Sequence, residues 1–198
     1  MRVIGITGGI ASGKSALSER LRELLPRARF FDADRAAREL TQSNPEVQEL
    51  IRGQFGRDIY SAEGDLNRRQ LRAIVFADPE KKLALEQILH PRIRRQWSIQ
   101  AESRRDSTEL FLADIPLLYE TGGESLCNRV VVVACSLGVQ RERLMRRSSL
   151  SLSAAEQMIS SQMPLQEKIA GADHLVWNNG PLPALAAEAR ILASLWRS

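Results

Sequence analysis

Apolar and polar positions follow two rhythms along the 198-residue chain. Short β-branched runs read as strands, and longer stretches with apolar residues three and four apart read as helices. Residues 2–7 predict a first strand. Residues 14–25 follow as a helix, with Leu17, Leu21, Leu24 and Leu25 forming its apolar stripe and Pro26 stopping it. A short strand near residues 28–31 runs into Asp32-Ala33-Asp34. Residues 110–114 and the valine run at 129–135 predict buried strands, as expected where both faces of a sheet are covered. Ser153-Ala154-Ala155-Glu156 fits a capping box opening a helix that ends near Pro164. Residues 174–177 predict a last strand, closed by Asn178-Asn179-Gly180, and residues 183–196 a final Ala/Leu-rich helix.

The middle of the chain, about residues 41–106, carries almost no strand signal. Asn44-Pro45 marks a turn, residues 66–76 place Leu71, Ile74 and Val75 at helical spacing, and His90-Pro91 is expected to begin a further helix. Alternating strands and helices predict an α/β fold: a doubly wound parallel five-stranded sheet, with a helical insertion lobe and an arginine-rich lid. The expected division is one domain, with a core at about 1–40 and 108–198, the insertion at about 41–107 and the lid at about 141–168.

Charge then narrows the partners. The net charge is +4 and arginines are scattered in pairs. This admits nucleic acid or a polyanionic small molecule. Aromatics are 5 % of residues, and no basic tail, zinc-finger spacing or RNP-like pattern occurs. A phosphate-rich small ligand is therefore expected, and no nucleic acid. No apolar run reaches the roughly 20 residues that span a bilayer. The N-terminus leads straight into a glycine loop, so a cytoplasmic protein without a membrane partner is expected. Cys127 and Cys135 have no metal-site or redox-motif spacing and read as reduced core thiols.

The strongest chemistry lies in Gly8-Gly9-Ile10-Ala11-Ser12-Gly13-Lys14-Ser15, which satisfies G-x-x-x-x-G-K-[ST] between a strand and a helix, so the doubly wound sheet is expected to be of the P-loop NTPase type. Gly8 and Gly13 are expected to supply backbone angles that turn successive N–H groups toward phosphate oxygens. The following helix start favours an anion. Lys14 can reach the β- and γ-phosphates, and Ser15 can ligate Mg²⁺. Gly9, Ala11, Ser12, Gly13, Lys14, Ser15 and Ala16 are the ATP-binding candidates. Ala11 stands where glycine is common, and its methyl group is tolerated there if φ is negative.

Carboxylates at strand ends add to this. Asp34, just after the second strand, can take a proton from an acceptor hydroxyl, while Asp32 reads equally well as a helix cap. Asp114 stands where an acid able to hold a Mg²⁺-bound water is expected, with helix capping as the other reading. Of Arg141, Arg143, Arg146 and Arg147, some can neutralise a transferring phosphoryl group on a movable lid. At least two are expected on a solvated face.

Taken together, the residues resemble dephospho-CoA kinases over essentially the whole chain. The resemblance rests on residues 5–15, on Asp32-Ala33-Asp34, on 66–72 with Val75-Phe76, on Leu89-His90-Pro91-Arg92-Ile93 and on 114–120. It extends through 140–144 with Arg147, 162–168, Ala172-Asp173, and Asn178 with Gly180. It implies ATP-dependent phosphorylation of the ribose 3′-hydroxyl of dephospho-CoA, giving CoA and ADP in the last step of CoA biosynthesis. Asp34 would be the base, with Lys14 and Arg143 or Arg147 bracing the transition state. Arg72, His90, Pro116, Leu117, Leu118 and Glu120 would face the acceptor, and Asn178 would sit near the adenine. Tyr119 departs from the usual phenylalanine, and Ser148-Ser149 from the usual charged or glycine-containing pair. Shikimate kinase and related small kinases are the nearest alternative, and a hydrolytic P-loop NTPase a more distant one.

Overall fold

The computed structural model describes residues 2–102, 109–148 and 150–197. The first half runs β1 (Arg2–Gly8), α1 (Lys14–Leu24), β2 (Arg29–Asp32), α2 (Ala33–Ser43), α3 (Pro45–Phe55), α4 (Arg68–Ala77) and α5 (Pro79–Glu102). The second runs β3 (Leu110–Asp114), β4 (Arg129–Ala134), α6 (Leu137–Ser148), α7 (Leu152–Ser160), α8 (Leu165–Ala170), β5 (His174–Trp177) and α9 (Leu182–Arg197). The chain divides into two compact units, Met1–Phe31 with Ala101–Ser198, and Asp32–Gln100. The expected lobe boundary at 107 lies outside the described residues.

The first unit is built on a five-stranded sheet of order β2-β3-β1-β4-β5. β1 pairs in parallel with β3 and β4, and β4 with β5. The register sets Ile6 opposite Asp114 and Gly8 opposite Val133. β1 and β4 are buried along almost their whole length, which explains the near-continuous apolar runs that mark them in the sequence. Ile4, Ile6, Val131, Val133 and Val176 meet Leu17 and Leu21 of α1 and Leu185, Ala189, Leu192 and Trp196 of α9 in one core. That core anchors both ends of the connection between β1 and α1.

The second unit is helical. Leu40, Val47, Ile51, Phe55, Ile59, Leu71 and Ile88 form its core. The Tyr60 hydroxyl donates to the Thr41 carbonyl at 2.8 Å. Asn44-Pro45 marks the expected turn: Asn44 ends α2 and caps α3, accepting from Val47 N–H at 3.0 Å with Pro45 at the first helical position. Two local expectations change here and nearby. His90-Pro91 does not begin a helix, because Pro91 lies inside the 24-residue α5. The cap of α7 is Ser151, which accepts from Ala154 N–H at 3.2 Å. Glu156, the acid of the expected capping box, pairs instead with Arg141 at 2.6 Å. Among the described residues, no helix is long and apolar enough to cross a membrane.

Candidate active site

The connection from Gly8 to Lys14 is fixed by space and by backbone angle. Gly8 is needed for space: a Cβ there would lie 2.3 Å from the Val133 carbonyl oxygen. Gly13 is needed twice over, since its φ is +99° and a Cβ would lie 2.2 Å from Asn178 Nδ2. Ala11 does not meet the condition under which its methyl group is easily tolerated, a negative φ. Its φ is 57°, and it is the one non-glycine with positive φ among the described residues. The left-handed region brings an L-residue's Cβ close to the following carbonyl. This loop therefore holds local strain against a well-packed surround.

That surround is a set of long side chains from the C-terminal half. Gln140 Nε2 donates to the Ile10 carbonyl at 2.8 Å, while the Ile10 N–H donates to Gln162 Oε1 at 3.1 Å. Arg143 Nη1 donates to the Ala11 and Ser12 carbonyls at 3.3 and 3.2 Å, and its Nη2 to the Asn178 carbonyl at 3.0 Å. Asn178 Nδ2 adds a bond to the Ser12 carbonyl at 2.8 Å. The carbonyls of residues 10–12 are thus held by side-chain donors. The N–H groups of the first turn of α1 have no intrahelical partners, and Gly13, its N-cap, supplies no side-chain cap. Amides and helix dipole together make an anion seat.

Lys14 and Asp114 form a direct ion pair, with side chains only 13 % and 6 % exposed. Asp114 closes β3 beside the loop because of the β1–β3 register. The Ser15 residue is exposed in the first turn of α1, whereas Ser12 Oγ is buried with no hydrogen-bond partner. The hydroxyl of Ser15 and the carboxylate of Asp114 are hard oxygen donors. Mg²⁺ in phosphate sites takes one or two such protein groups, with phosphate and water completing its shell, so these residues fit that ion.

The other predicted site residues of this unit lie beside the loop, on α6 and in the turns after β3. Arg143 is beside the loop but spends its guanidinium on main-chain carbonyls. Arg146 and Arg147 are exposed on the last turn of α6, and Arg141 is turned to Glu156. Asn178 is buried and its amide supports the loop. Gly9 and Ala16 flank the seat, half-buried. Pro116, Leu117, Leu118 and Glu120 occupy the turns after β3, where Leu118 is fully buried. Lys168, fully buried, donates to Glu120 Oε1 at 2.7 Å. Gln140, Gln162 and Lys168 carried no role in the motif reading, because Gln140 and Gln162 reach Ile10 across 130 and 152 positions and Lys168 reaches Pro116 across 52.

In the helical unit, Asp32 caps α2 by accepting from Arg35 N–H at 2.9 Å. Asp34 is exposed two residues later, in the first turn of that helix. Arg72 is exposed on α4 and His90 half-buried on α5. A cavity of about 530 Å³ in this unit is lined by Asn44, Glu46, Arg92, Arg95 and Gln96 rather than by Arg72 or His90.

Two groups near the turns after β3 are held protonated. Burial, then the Asp173 and Glu124 carboxylates, push the Tyr119 hydroxyl up to about 12. Burial and Glu124 push the Cys127 thiol up to about 12 as well. The Tyr119 hydroxyl is buried without a partner. Cys127 and Cys135 are both free thiols, and burial also raises Cys135. Neither is poised as a nucleophile, since the thiolate is the reactive form.

Comparison with known proteins bears on this geometry. The family model described as dephospho-CoA kinase matches residues 2–184. A protein named dephospho-CoA kinase from Anaeromyxobacter dehalogenans is 44 % identical over 200 residues, covering 98 % of this chain and 92 % of its own. One of the same name from Bacillus anthracis is 39 % identical over 196 residues, covering 98 % and 96 %. The solved structure of dephospho-CoA kinase from Campylobacter jejuni is similar with a TM-score of 0.68 and 26 % identity, covering 98 % of this chain and 97 % of its own.

Proposed function

The chain belongs to the dephospho-CoA kinase family, and from that premise we propose that it transfers the γ-phosphoryl group of MgATP to the ribose 3′-hydroxyl of dephospho-CoA. The observation that carries the reading is the braced anion seat at residues 8–16, with Lys14 and Asp114 at its side. The first-turn amides of α1 bind the phosphates of ATP. Lys14 leaves Asp114 for the β- and γ-phosphate oxygens, and its charge offsets the negative charge of the transferring group. Ser15 and Asp114 hold the magnesium ion, which screens the phosphates when bound.

On the acceptor side, Asp34 receives the proton of the 3′-hydroxyl as that oxygen bonds to the γ-phosphorus and the bond to ADP breaks. Its exposure in the first turn of α2 leaves the carboxylate reachable. Acceptor contacts are assigned to Arg72 and His90 of the helical unit and, separately, to the 116–120 turn, and contact with the phosphoryl group to Arg147, exposed on the last turn of α6. Arg143 works chiefly by holding the loop carbonyls. The expected setting is the cytoplasm, without nucleic acid or membrane.

The test is ATP consumption with dephospho-CoA, with shikimate, with RNA and with water alone. Dephospho-CoA alone is expected to raise consumption above the water rate, and shikimate doing so instead would move the chain to the other small-kinase reading. Asp34→Asn is expected to remove acceptor-dependent turnover while leaving ATP affinity within threefold. Turnover near the wild-type rate would refute Asp34 as the base.

A further inference from the structure

The fully buried ammonium of Lys168 takes no part in the chemistry above. Its Nζ donates to Glu120 Oε1 at 2.7 Å and to the Pro116 carbonyl at 3.1 Å. Both acceptors are shared. Glu120 Oε1 also receives the Met163 N–H at 3.1 Å, and the Pro116 carbonyl also receives the Thr7 hydroxyl at 2.9 Å. Pro116 opens the turns that leave β3, at residues 116–122, and Glu120 lies within them. One ammonium therefore grips that stretch at two points.

The neighbours of these contacts are the site itself. Asp114, the partner of Lys14, stands two residues before Pro116. Thr7 directly precedes Gly8, so the strut from Thr7 joins the start of the phosphate loop to the same carbonyl. Gln162, adjacent to Met163, holds the Ile10 N–H from the other side. A buried ion pair is a poor device for stability alone, since apolar residues of equal volume usually serve as well or better. What an ammonium does that a leucine does not is fix the direction of a carbonyl and a carboxylate at once.

We propose that Lys168 is a positioning residue, which sets the 116–120 turn in register with the phosphate loop so that acceptor and phosphoryl group meet in line. The inference rests on the reading above that this turn faces the acceptor. Displacement of that turn misaligns the reacting atoms while the amide seat for the nucleotide stays built.

The experiment compares wild type, Lys168→Met and Thr7→Val. It measures steady-state kinetics with dephospho-CoA per mole of folded enzyme, and MgADP affinity by titration. Lys168→Met is expected to lower kcat/KM for dephospho-CoA about a hundredfold, as for an ångström-scale misplacement, with the MgADP Kd within threefold. Thr7→Val removes one strut without changing volume and is expected to lower kcat/KM about three- to tenfold. A lysine with a merely structural role would lower Tm and leave kcat/KM of the folded enzyme unchanged, which would overturn the proposal. If Lys168→Met fails to fold, Thr7→Val decides: a wild-type kcat/KM refutes the positioning role. Absence of turnover by the wild type would instead refute the functional reading on which the proposal stands.

Discussion

Replacing Ala11 by glycine is expected to stabilise the protein, although the change removes only a methyl group. Ala11 has φ 57°, where an L-residue is disfavoured by about 1–2 kcal/mol. Glycine is free of that penalty, but it enlarges the unfolded ensemble by about 0.4–1 kcal/mol. The loop's other contacts survive, because Arg143 and the Gly9–Ser12 turn engage main-chain atoms. The net expectation is a gain of about 0.5–1 kcal/mol, or roughly 1–4 °C in Tm for a chain of this size. Urea unfolding followed by circular dichroism and by tryptophan fluorescence measures it, with an unchanged m-value showing that only stability moved. Ala11→Val supplies the opposite sign, since a β-branched residue tolerates positive φ least. A loss of stability in Ala11→Gly would refute the argument, because it would mean that the methyl group packs more favourably than the angle is strained.

Other outcomes follow from single contacts. Tyr119→Phe removes a buried hydroxyl without a partner and is expected to raise stability by up to about 1 kcal/mol in urea unfolding; a loss would show that the hydroxyl is satisfied. Tyr119 and Cys127 have folded values near 12 against ordinary values of 10.0 and 9.0. The folded state therefore keeps protons that the unfolded chain releases, so their contribution is whole below about pH 9 and is lost as pH rises toward 12. Unfolding midpoints taken across that range should fall more steeply in wild type than in Tyr119→Phe, and parallel curves would contradict this. Pro91 interrupts the hydrogen-bond ladder of α5, so Pro91→Ala is expected to raise stability by about 1–3 kcal/mol. An unchanged or lower urea midpoint would show that the proline is preferred at a bend.

What could be read before the structure was local. The strands announced themselves because β1 and β4 are covered on both faces, and the phosphate loop because its glycines, lysine and serine are adjacent in sequence. The braces of that loop were not legible: Gln140, Gln162 and Asn178 reach it across 130, 152 and 166 positions. Ser153-Glu156 looked like a capping box because its spacing is right, yet a salt bridge to Arg141 claims the glutamate and leaves Ser151 as the cap. His90-Pro91 looked like a helix start because proline suits a first turn, yet α5 continues through it. The angle at Ala11 was hidden for another reason. Residue type sets only a preference for φ, and the packed surround of the loop overrides it.

The central claim is that the loop's ATP gives its terminal phosphoryl group to one particular sugar oxygen. Incubation of the protein with magnesium, γ-labelled ATP and either dephospho-CoA or its 3′-deoxyribose analogue tests this directly. Label is expected in a 3′-phosphomonoester of CoA with the first acceptor and in no acceptor product with the second. Label released only as inorganic phosphate, or transferred equally to both acceptors, would contradict it.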